Sequence, residues 1–377
     1  MVFTPPFCPH KHCPTQQNPA LLSRFWFQRR GFRMTQVVGP VPRFKCQHCG
    51  RGFSSRTFDI DYWTHQSVDY RHIQNLLVGG SGLRQACRTL GVSTRLLANR
   101  HVRLARQSLA LHSQGLEEFQ LKEALVFDGF ESFAYSQYFP NNLNLLVTAD
   151  SQFQVGLNAA PLRRKGKMTA AQKVKRTLIE KEYRAPPNAI YQSSKELLNL
   201  GCHLSFGSRQ LPIEFRTDEK KEYAWALSRL PLYGEWLEPG LLIHTTVSSR
   251  AARTLQNPLF PVNYLDRQLR KDLAEHGRET VRFARRLEHS LERAVIHLAH
   301  HNYFKGYRSR SKDRELTHAE AAGLERREIE QGRESLFRDR AFGWRLHLEK
   351  WQVDLWRRST KVPIHRVTPL ARHLLTA

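Results

Sequence analysis

Two pairs of cysteines near the start of the chain have the clearest metal-binding spacing. Cys8 and Cys13 lie in CPHKHC. Cys46 and Cys49 lie in KCQHCGRGFS, a Cys-x-x-Cys knuckle with a basic residue before it. Thiolates from two such knuckles complete a tetrahedral zinc shell without a large hydrophobic core. The spacing therefore predicts one structural Zn²⁺ ion held by these four cysteines.

The ligand set of this predicted zinc site stays open at the level of sequence. The first pair has four residues between its cysteines, and His10, His12 and His48 lie within reach. The alternative interpretation is a group of unrelated buried cysteines in a disordered leader, but the basic aromatic stretch between the pairs favours a ribbon. No basic-then-apolar signal peptide precedes them, so metal binding in a reducing cytoplasm is favoured over disulfides.

Three aspartates stand out by their surroundings. Asp128 lies in the apolar run LVFDGFESF, where burial is costly unless the carboxylate is paired or binds a cation. Asp218 ends PIEFRTD, at an edge where α/β sheets collect functional groups, and Asp266 lies near the start of a helical segment. Converging carboxylates bind Mg²⁺, which activates water or a 3′-hydroxyl for phosphoryl transfer. Each acid alone is more often a solvated turn or capping residue.

The segment GLRQACRTLGVSTRLLANRHVRLAR has the outline of a helix-turn-helix. A helix over Leu83–Leu90 is predicted, with a turn at Gly91 and a cap at Ser93 or Thr94. Arginine and asparagine can bind guanine and adenine edges bidentately. On the second helix the DNA-binding candidates are Arg95, Asn99, Arg100 and Arg103. The alternative is an ordinary helical linker whose arginines face water.

Hydrophobic patterning predicts the elements that position these side chains. Runs typical of strands span 123–133, 141–150, 151–161, 212–218 and 241–247. Residues 109–122 are interpreted as a connector and the basic run 163–176 as a loop, and from Asn263 onward the apolar spacing is helical. Strands that alternate with helices indicate an α/β core rather than a sandwich or a bundle.

The charge balance favours a polyanionic partner. Lys and Arg number 59 against 34 Asp and Glu, a formal net charge of +25. Such an excess favours nucleic acid, with binding that weakens steeply as salt rises. A membrane surface is the competing polyanion, but the sequence has no run of about 18 apolar residues for a spanning helix. We therefore expect double-stranded DNA as the partner and no membrane.

Three stretches together resemble bacterial insertion-sequence transposases that carry an N-terminal zinc ribbon, a helix-turn-helix and a DDE-type, ribonuclease-H-like core. They are PRFKCQHCGRGFSSRTFDIDYW, GLRQACRTLGVSTRLLANRHVRL and NYLDRQLRKDLAEHGRETVRFARR. In the third stretch Asn263 precedes the last acid, and an Arg-x-Thr-x-x-Phe segment begins at Arg278. The resemblance extends to about Tyr307.

The resemblance implies a fold class and a domain organisation. The class is α/β, with a ribonuclease-H-like mixed sheet preceded by a small zinc ribbon and a helix-turn-helix and followed by a helical tail. The implied domains are a zinc ribbon over 1–62, a helix-turn-helix over 63–115, a catalytic domain over 120–305 and a basic helical tail over 306–377.

The resemblance also implies the site residues. Asp128, Asp218 and Asp266 would form the catalytic triad and bind Mg²⁺. The family usually has Glu in the third place, so Asp272 or Glu275 is an alternative third acid. The residues implied to bind DNA phosphates near the site are Arg267, Arg270, Arg278 and the run 163–176.

The leading functional expectation is an Mg²⁺-dependent DNA transposase. It would bind element ends, cleave them and join a 3′-hydroxyl to target DNA, as a homo-oligomer in the bacterial cytoplasm at the nucleoid. The second hypothesis is a catalytically inactive relative that only binds DNA, for example as a regulator. The third is a structural or RNA-binding zinc protein, which would not need Asp128 in its apolar strand.

Overall fold

The computed structural model describes residues 3–23, 25–209, 211–231, 240–277, 280–307 and 316–360. Within these ranges a three-stranded sheet packs with the cysteine pairs, and a five-stranded mixed sheet forms the centre of a mixed α/β body. None of the described helices is both long and apolar enough to cross a membrane.

The three-stranded sheet is antiparallel and carries a small aromatic core. Its elements are the short helix α1 (Pro14–Gln17) and the strands β1 (Phe27–Thr35), β2 (Gly39–Cys46) and β3 (Gly52–Ser54). Buried aromatic rings pack beside the cysteines, among them Trp26, Phe44, Phe53 and Phe58. Trp26 and Phe53 stack with ring centroids 5.9 Å apart. So small a core needs a second source of stability.

Helices α2 (Tyr70–Val78), α3 (Leu83–Leu90) and α4 (Thr94–Glu118) follow the ribbon. The predicted helix and turn are confirmed: α3 has the predicted bounds, Gly91 adopts a left-handed φ of 64°, and Ser93 Oγ accepts from the backbone of Leu96. The predicted connector at 109–122 was wrong over most of its length. Helix α4, which is 25 residues long, continues through it to Glu118 because its apolar side chains are buried by helices on several sides.

The five-stranded sheet contains every predicted strand. Its strands are β4 (Leu125–Phe133), β5 (Pro140–Thr148), β6 (Gln154–Pro161), β7 (Ile213–Asp218) and β8 (Leu242–Val247). The order is β6-β5-β4-β7-β8. Strands β4, β5 and β6 form an antiparallel meander, whereas β7 runs parallel to β4 and β8 runs parallel to β7. Strand β4 is therefore central, with an antiparallel neighbour on one side and a parallel one on the other.

Helices cover the sheet and connect its parallel strands. They are α5 (Ala170–Glu182), α6 (Ala189–Gly207), α7 (Lys221–Leu227), α8 (Phe260–Asp272) and α9 (Leu287–Tyr303). Helix α6 packs on β5 and β6, α8 packs on β4 and β5, and α9 contacts both α4 and β6. The predicted loop at 163–176 ends early because Thr169 and Gln172 form a capping box that begins α5.

The C-terminal region folds back onto the front of the chain. It contains α10 (His318–Ala321), α11 (Arg326–Arg338) and α12 (Lys350–Arg357). The backbone of Ile60 donates to Arg338 O at 2.9 Å, and the backbone of Arg340 donates to Phe58 O at 2.7 Å. Phe342 lies in the aromatic core of the ribbon. The described part of the predicted tail is thus packed structure that joins the ribbon to the α/β body.

A glycine on α6 allows this helix to pack closely on the sheet. A Cβ atom at Gly201 would lie 2.8 Å from Leu125 Cδ1 and 2.8 Å from two ring atoms of Phe215. We expect Gly201→Ala to lower the free energy of unfolding by about 1–3 kcal/mol, because the packed core must shift. Urea denaturation measures this change. In the control Gly207→Ala, on the same helix, a Cβ meets no described atom within 4 Å. Equal effects of the two substitutions would contradict the close approach.

Candidate functional site

The four front cysteines converge on one point. Cys8 Sγ lies 3.7 Å from Cys49 Sγ, and Cys13 Sγ lies 3.7 Å from Cys46 Sγ. All four sulfur atoms lie within 4.8 Å of one another. With Zn–S bonds of about 2.3 Å, the edge of a tetrahedral shell measures about 3.8 Å. The four-cysteine group, three members of which are buried, therefore has the dimensions of a zinc shell.

Without a bound cation, the surroundings of this group disfavour thiolates at Cys8 and Cys46. Burial raises the pKa of the Cys8 and Cys46 thiols, because a thiolate without a neighbouring cation is poorly solvated there. A bound divalent cation would supply that missing charge. His48 Nε2 lies 3.0 Å from Leu21 O, and neither His10 nor His12 belongs to the converging group. Of the ligand sets that the sequence left open, the geometry favours the four cysteines.

Asp128 and Asp218 lie side by side at the point where two parallel strands separate. The parallel pairing of β4 and β7 ends at Phe127↔Thr217, and the next residue on each strand is one of these aspartates. Burial and then the charge of Asp218 raise the pKa of Asp128 to about 6. Like charges this close resist simultaneous ionisation unless a cation lies between them.

Neighbouring groups hold the two carboxylates in place. Asp128 Oδ1 accepts a hydrogen bond from the backbone of Gly129 at 2.7 Å and one from the hydroxyl of Tyr223 at 3.3 Å. Asp218 Oδ1 accepts from the backbone of Lys220 at 3.0 Å. Sequence reasoning missed Tyr223 and Lys220. The signal available was their place in DEKKEYAWAL, directly after the strand that ends in Asp218.

Asp266 lies on α8, which packs across β4, but its carboxylate faces an arginine. Asp266 Oδ1 is 3.0 Å from Arg270 Nε, and this guanidinium lies 4.6 Å from the ring centre of Phe130. Phe130 is two residues beyond Asp128 on the same strand, so both side chains point to the same face of the sheet. Within the described ranges, the three aspartates do not form a group whose ligand atoms all lie within 4.8 Å.

The two alternative third acids are engaged elsewhere. Asp272 Oδ2 lies 3.2 Å from His297 Nε2, and Glu275 Oε2 lies 2.9 Å from Arg293 Nη1. Glu275 is buried. The structure therefore brings Asp128 and Asp218 together, with Asp266 in an ion pair on the adjoining helix.

The DNA-binding candidates of α4 divide into an exposed one and an interior group. Arg95 is exposed, whereas Arg100 and Arg103 are only 4% and 2% exposed. Arg100 Nε lies 3.4 Å from Asp61 Oδ1, and Arg103 Nη1 donates to a backbone carbonyl of the ribbon at 2.7 Å. Asn99 Oδ1 accepts from both guanidinium groups. Arg100 and Arg103 bind α4 to the segment before it, half-buried Asn99 holds both guanidinium groups, and of the four candidates only Arg95 is exposed.

The arginines that were predicted to bind DNA phosphates near the aspartates differ in their exposure and contacts. Arg267 is exposed on α8, Arg270 is the partly buried partner of Asp266, and Arg278 lies outside the described residues. A cleft of about 1730 Å³ runs beside β4 and α7. Its lining includes Glu131 and a basic group that consists of Arg163, Arg164, Lys165 and Arg184.

A second basic cleft, of about 2060 Å³, opens between the ribbon strands and the C-terminal region. Its ribbon side carries the exposed cations Arg30, Arg33, Arg43, Lys45 and Arg51. Trp63, at the opposite wall, is 77% exposed. Cations interleaved with an exposed aromatic ring are typical of a nucleic-acid surface. The sequence indicated the basic ribbon strand but not the wall that the C-terminal region supplies.

Neither a known family model nor a curated protein matches the chain. Among solved structures, it is similar to a chain of the simian T-cell lymphotropic virus intasome in complex with PP2A regulatory subunit B56 gamma, determined by cryo-electron microscopy. The identity is 12% and the TM-score 0.24, over 68% of this chain and 73% of that chain. A likeness at this level is a distant one, and we draw no functional conclusion from it.

The aspartate pair predicts a stability change that depends on pH. The folded-state pKa of Asp128, about 6, lies above its ordinary value of 3.8, so the folded protein retains a proton that the unfolded chain releases. Stability therefore falls as the pH rises from 3.8 through 6. In chelator-treated buffer, we expect Asp128→Asn to raise the free energy of unfolding above this window by about 1–2 kcal/mol. Below this pH window, wild type and Asp128→Asn should have the same free energy of unfolding.

The control is Glu131→Gln, because Glu131 is an exposed carboxyl on the same strand. It should change the free energy of unfolding by less than about 0.5 kcal/mol at every pH. Urea denaturation from acid to neutral pH measures both variants. A gain for Asp128→Asn that does not vary with pH would show that the carboxyl is not desolvated in the folded chain.

Proposed function

We propose that this protein is a metal-dependent DNA transposase of the DDE type, with a zinc ribbon and a helix-turn-helix that bind DNA. The observation that carries the proposal is the placement of Asp128 next to Asp218 where the parallel pairing of β4 with β7 ends. A basic cleft is lined in part by Glu131, further along β4. Two adjacent carboxylates suit a divalent cation, and the cations of the cleft suit a phosphate backbone.

The topology supports the ribonuclease-H-like core implied by the resemblance. An antiparallel meander is extended by two parallel strands, and the acids lie at the junction between the two parts. We assign residues 120–305 to the catalytic domain, 1–62 to the ribbon, 63–115 to the helix-turn-helix and 306–377 to a helical region. Within the described residues, this last region contacts the ribbon through Asp339 and Phe342.

The acids fit a magnesium site in their chemistry. Asp128 and Asp218 would hold the ion, and Asp266 would join them after it leaves Arg270. When bound, Mg²⁺ polarises the phosphate and activates water or a 3′-hydroxyl for in-line attack. Tyr223 donates to Asp128 and so holds its Oδ1 in a fixed direction. Lys220 lies close enough to lower the pKa of Asp128, and it therefore favours the ionised form that binds a cation.

We further propose that the four-cysteine group holds one structural Zn²⁺ ion. The ion would stabilise the ribbon, whose exposed cations line the second basic cleft. The partner would be double-stranded DNA, both element ends and target, with the protein a homo-oligomer at the bacterial nucleoid. Arg95, Arg267 and Arg278 remain proposed phosphate or base contacts.

A second candidate function is a catalytically inactive, zinc-dependent DNA-binding protein. One observation favours it: Asp266, the proposed third acid, is ion-paired with Arg270 at 3.0 Å. If this ion pair persists in the complex with DNA and Mg²⁺, only two acids remain for the metal. The two candidates predict the same DNA affinity and differ in cleavage.

A cleavage assay distinguishes these candidates. The protein is incubated with DNA that carries the element ends, in Mg²⁺ or Mn²⁺. We expect Asp128→Asn and Asp218→Asn each to reduce nicking at least about a thousandfold, because the acids act as one unit, while DNA affinity stays within about threefold of wild type. The control Glu330→Gln, an exposed carboxyl on α11 that lines neither basic cleft, should cleave normally. Equal nicking by wild type and both aspartate variants would exclude the enzymatic proposal, and uncut DNA in every sample would favour the inactive relative.

A second experiment tests the zinc ribbon. We expect Cys46→Ser to lose about one zinc ion per chain and to weaken DNA binding at least about tenfold, because the ribbon loses its cross-link. Elemental analysis and DNA titration at two salt concentrations measure both effects. The control is Cys202→Ser, a buried cysteine on α6 outside the four-cysteine group. Unchanged metal content in Cys46→Ser would contradict the proposed zinc shell.

A further inference from the structure

A second group of metal-ligating side chains lies between α4 and α9, apart from the two sites above. It consists of His101 on α4 and His289 and Glu292 on α9. Their ligand atoms all lie within 4.8 Å of one another. The two α9 residues are three positions apart, so they share one face of that helix. The closeness of α4 and α9 brings the third ligand to the same face.

The interior histidine of this group has polar atoms that the protein leaves unsatisfied. His101 is 1% exposed, and neither of its ring nitrogens has a hydrogen-bond partner in the described part of the chain. His112, about three turns further along α4, has partners for both of its ring nitrogens. Its ring nitrogens lie 3.1 Å from Tyr303 Oη and 2.8 Å from Val155 O. Buried polar atoms almost always have partners, so the His101 ring points to a ligand.

The separations within the group match those between ligands of one metal ion. His101 Nδ1 lies 3.6 Å from Glu292 Oε2, which is too long for a hydrogen bond. Nitrogen and oxygen ligands at about 2.0–2.1 Å from a tetrahedral metal are about 3.3 Å apart. The ring centres of His101 and His289 are 5.9 Å apart, so both imidazoles approach the same space.

Arginines surround the cluster, and Arg358 forms an ion pair with its carboxylate. Arg358 Nε lies 2.8 Å from Glu292 Oε1, while Oε2 faces His101. This contact is an ion pair without hydrogen-bond geometry, and Glu292 offsets part of the positive charge of Arg358.

We propose that His101, His289 and Glu292 bind a second transition-metal ion of the Zn²⁺ class. Two imidazoles and one carboxylate are the donor set that zinc accepts with a fourth position left for water. This ion would cross-link α4, which begins in the helix-turn-helix, to α9 of the α/β body. It would thereby fix the DNA-binding helices relative to the aspartate pair. The site depends on neither the four cysteines nor catalysis.

Zinc content of the purified full chain tests the proposal. Wild type should contain about two zinc ions per chain, and His101→Gln, His289→Gln and Glu292→Gln about one each. The matched control His112→Gln replaces a buried histidine of the same helix outside the group and should keep about two. Wild type with about one zinc ion, unchanged in His101→Gln and His289→Gln, would overturn the proposal.

Cobalt spectra keep the test decisive if one variant fails to fold. In Co²⁺-substituted wild type, thiolate charge-transfer bands report the four-cysteine group, and weaker d–d bands report a nitrogen and oxygen site. Cys46→Ser should remove the thiolate bands and retain the d–d bands of the second site. His289 lies at the less buried edge of the group. His289→Gln should keep the thiolate bands and lose the d–d bands of the second site. If Cys46→Ser binds no Co²⁺, the second site does not exist.

Discussion

The parallel pairing of β4 with β7 places two negative charges next to each other, and the groups around them must stabilise these charges. The β4–β7 register ends at Phe127↔Thr217, so Asp128 and Asp218 are the next residue on each strand, where these two strands no longer pair with each other. The hydroxyl of Tyr223 and the backbone of Lys220 stabilise single oxygen atoms of the pair, but neither neutralises it. The charge of Lys220 lowers the pKa of Asp128, but burial and the charge of Asp218 still hold this pKa above its ordinary value, so the pair opposes folding at neutral pH.

Packing alone also leaves the ribbon short of stabilising contacts. A three-stranded sheet with few buried rings cannot fold on burial alone, and four thiolates around one ion would supply the difference. The C-terminal region adds a further contribution, because Phe342 completes the aromatic core and Arg340 bonds to the backbone of Phe58. Ribbon and α/β body are thereby connected by packed side chains as well as by the chain between them.

The sequence predicted local features well and interior contacts poorly. Each strand and α3 could be predicted because their signals are local: alternating apolar runs, and a glycine and a serine at a turn. The cysteine group could be predicted because spacing alone restricts metal geometry. Arg100 and Arg103 looked like DNA contacts because arginine is usually exposed. Their buried partners, Asp61 and a ribbon carbonyl, lie about forty residues away and leave no local signal.

Arg270 shows why a count of basic residues overestimates how many of them are available to bind a phosphate. Its guanidinium binds Asp266 and stacks on Phe130, so it neutralises one acid within the protein instead of a phosphate. One guanidinium cannot hold both partners at full strength, so Asp266 and the DNA phosphate of the proposed complex would compete for it. If a divalent cation takes Asp266, as proposed, Arg270 is released at the face of β4 where a phosphate would lie. Metal binding and phosphate binding would then favour each other through a single side chain.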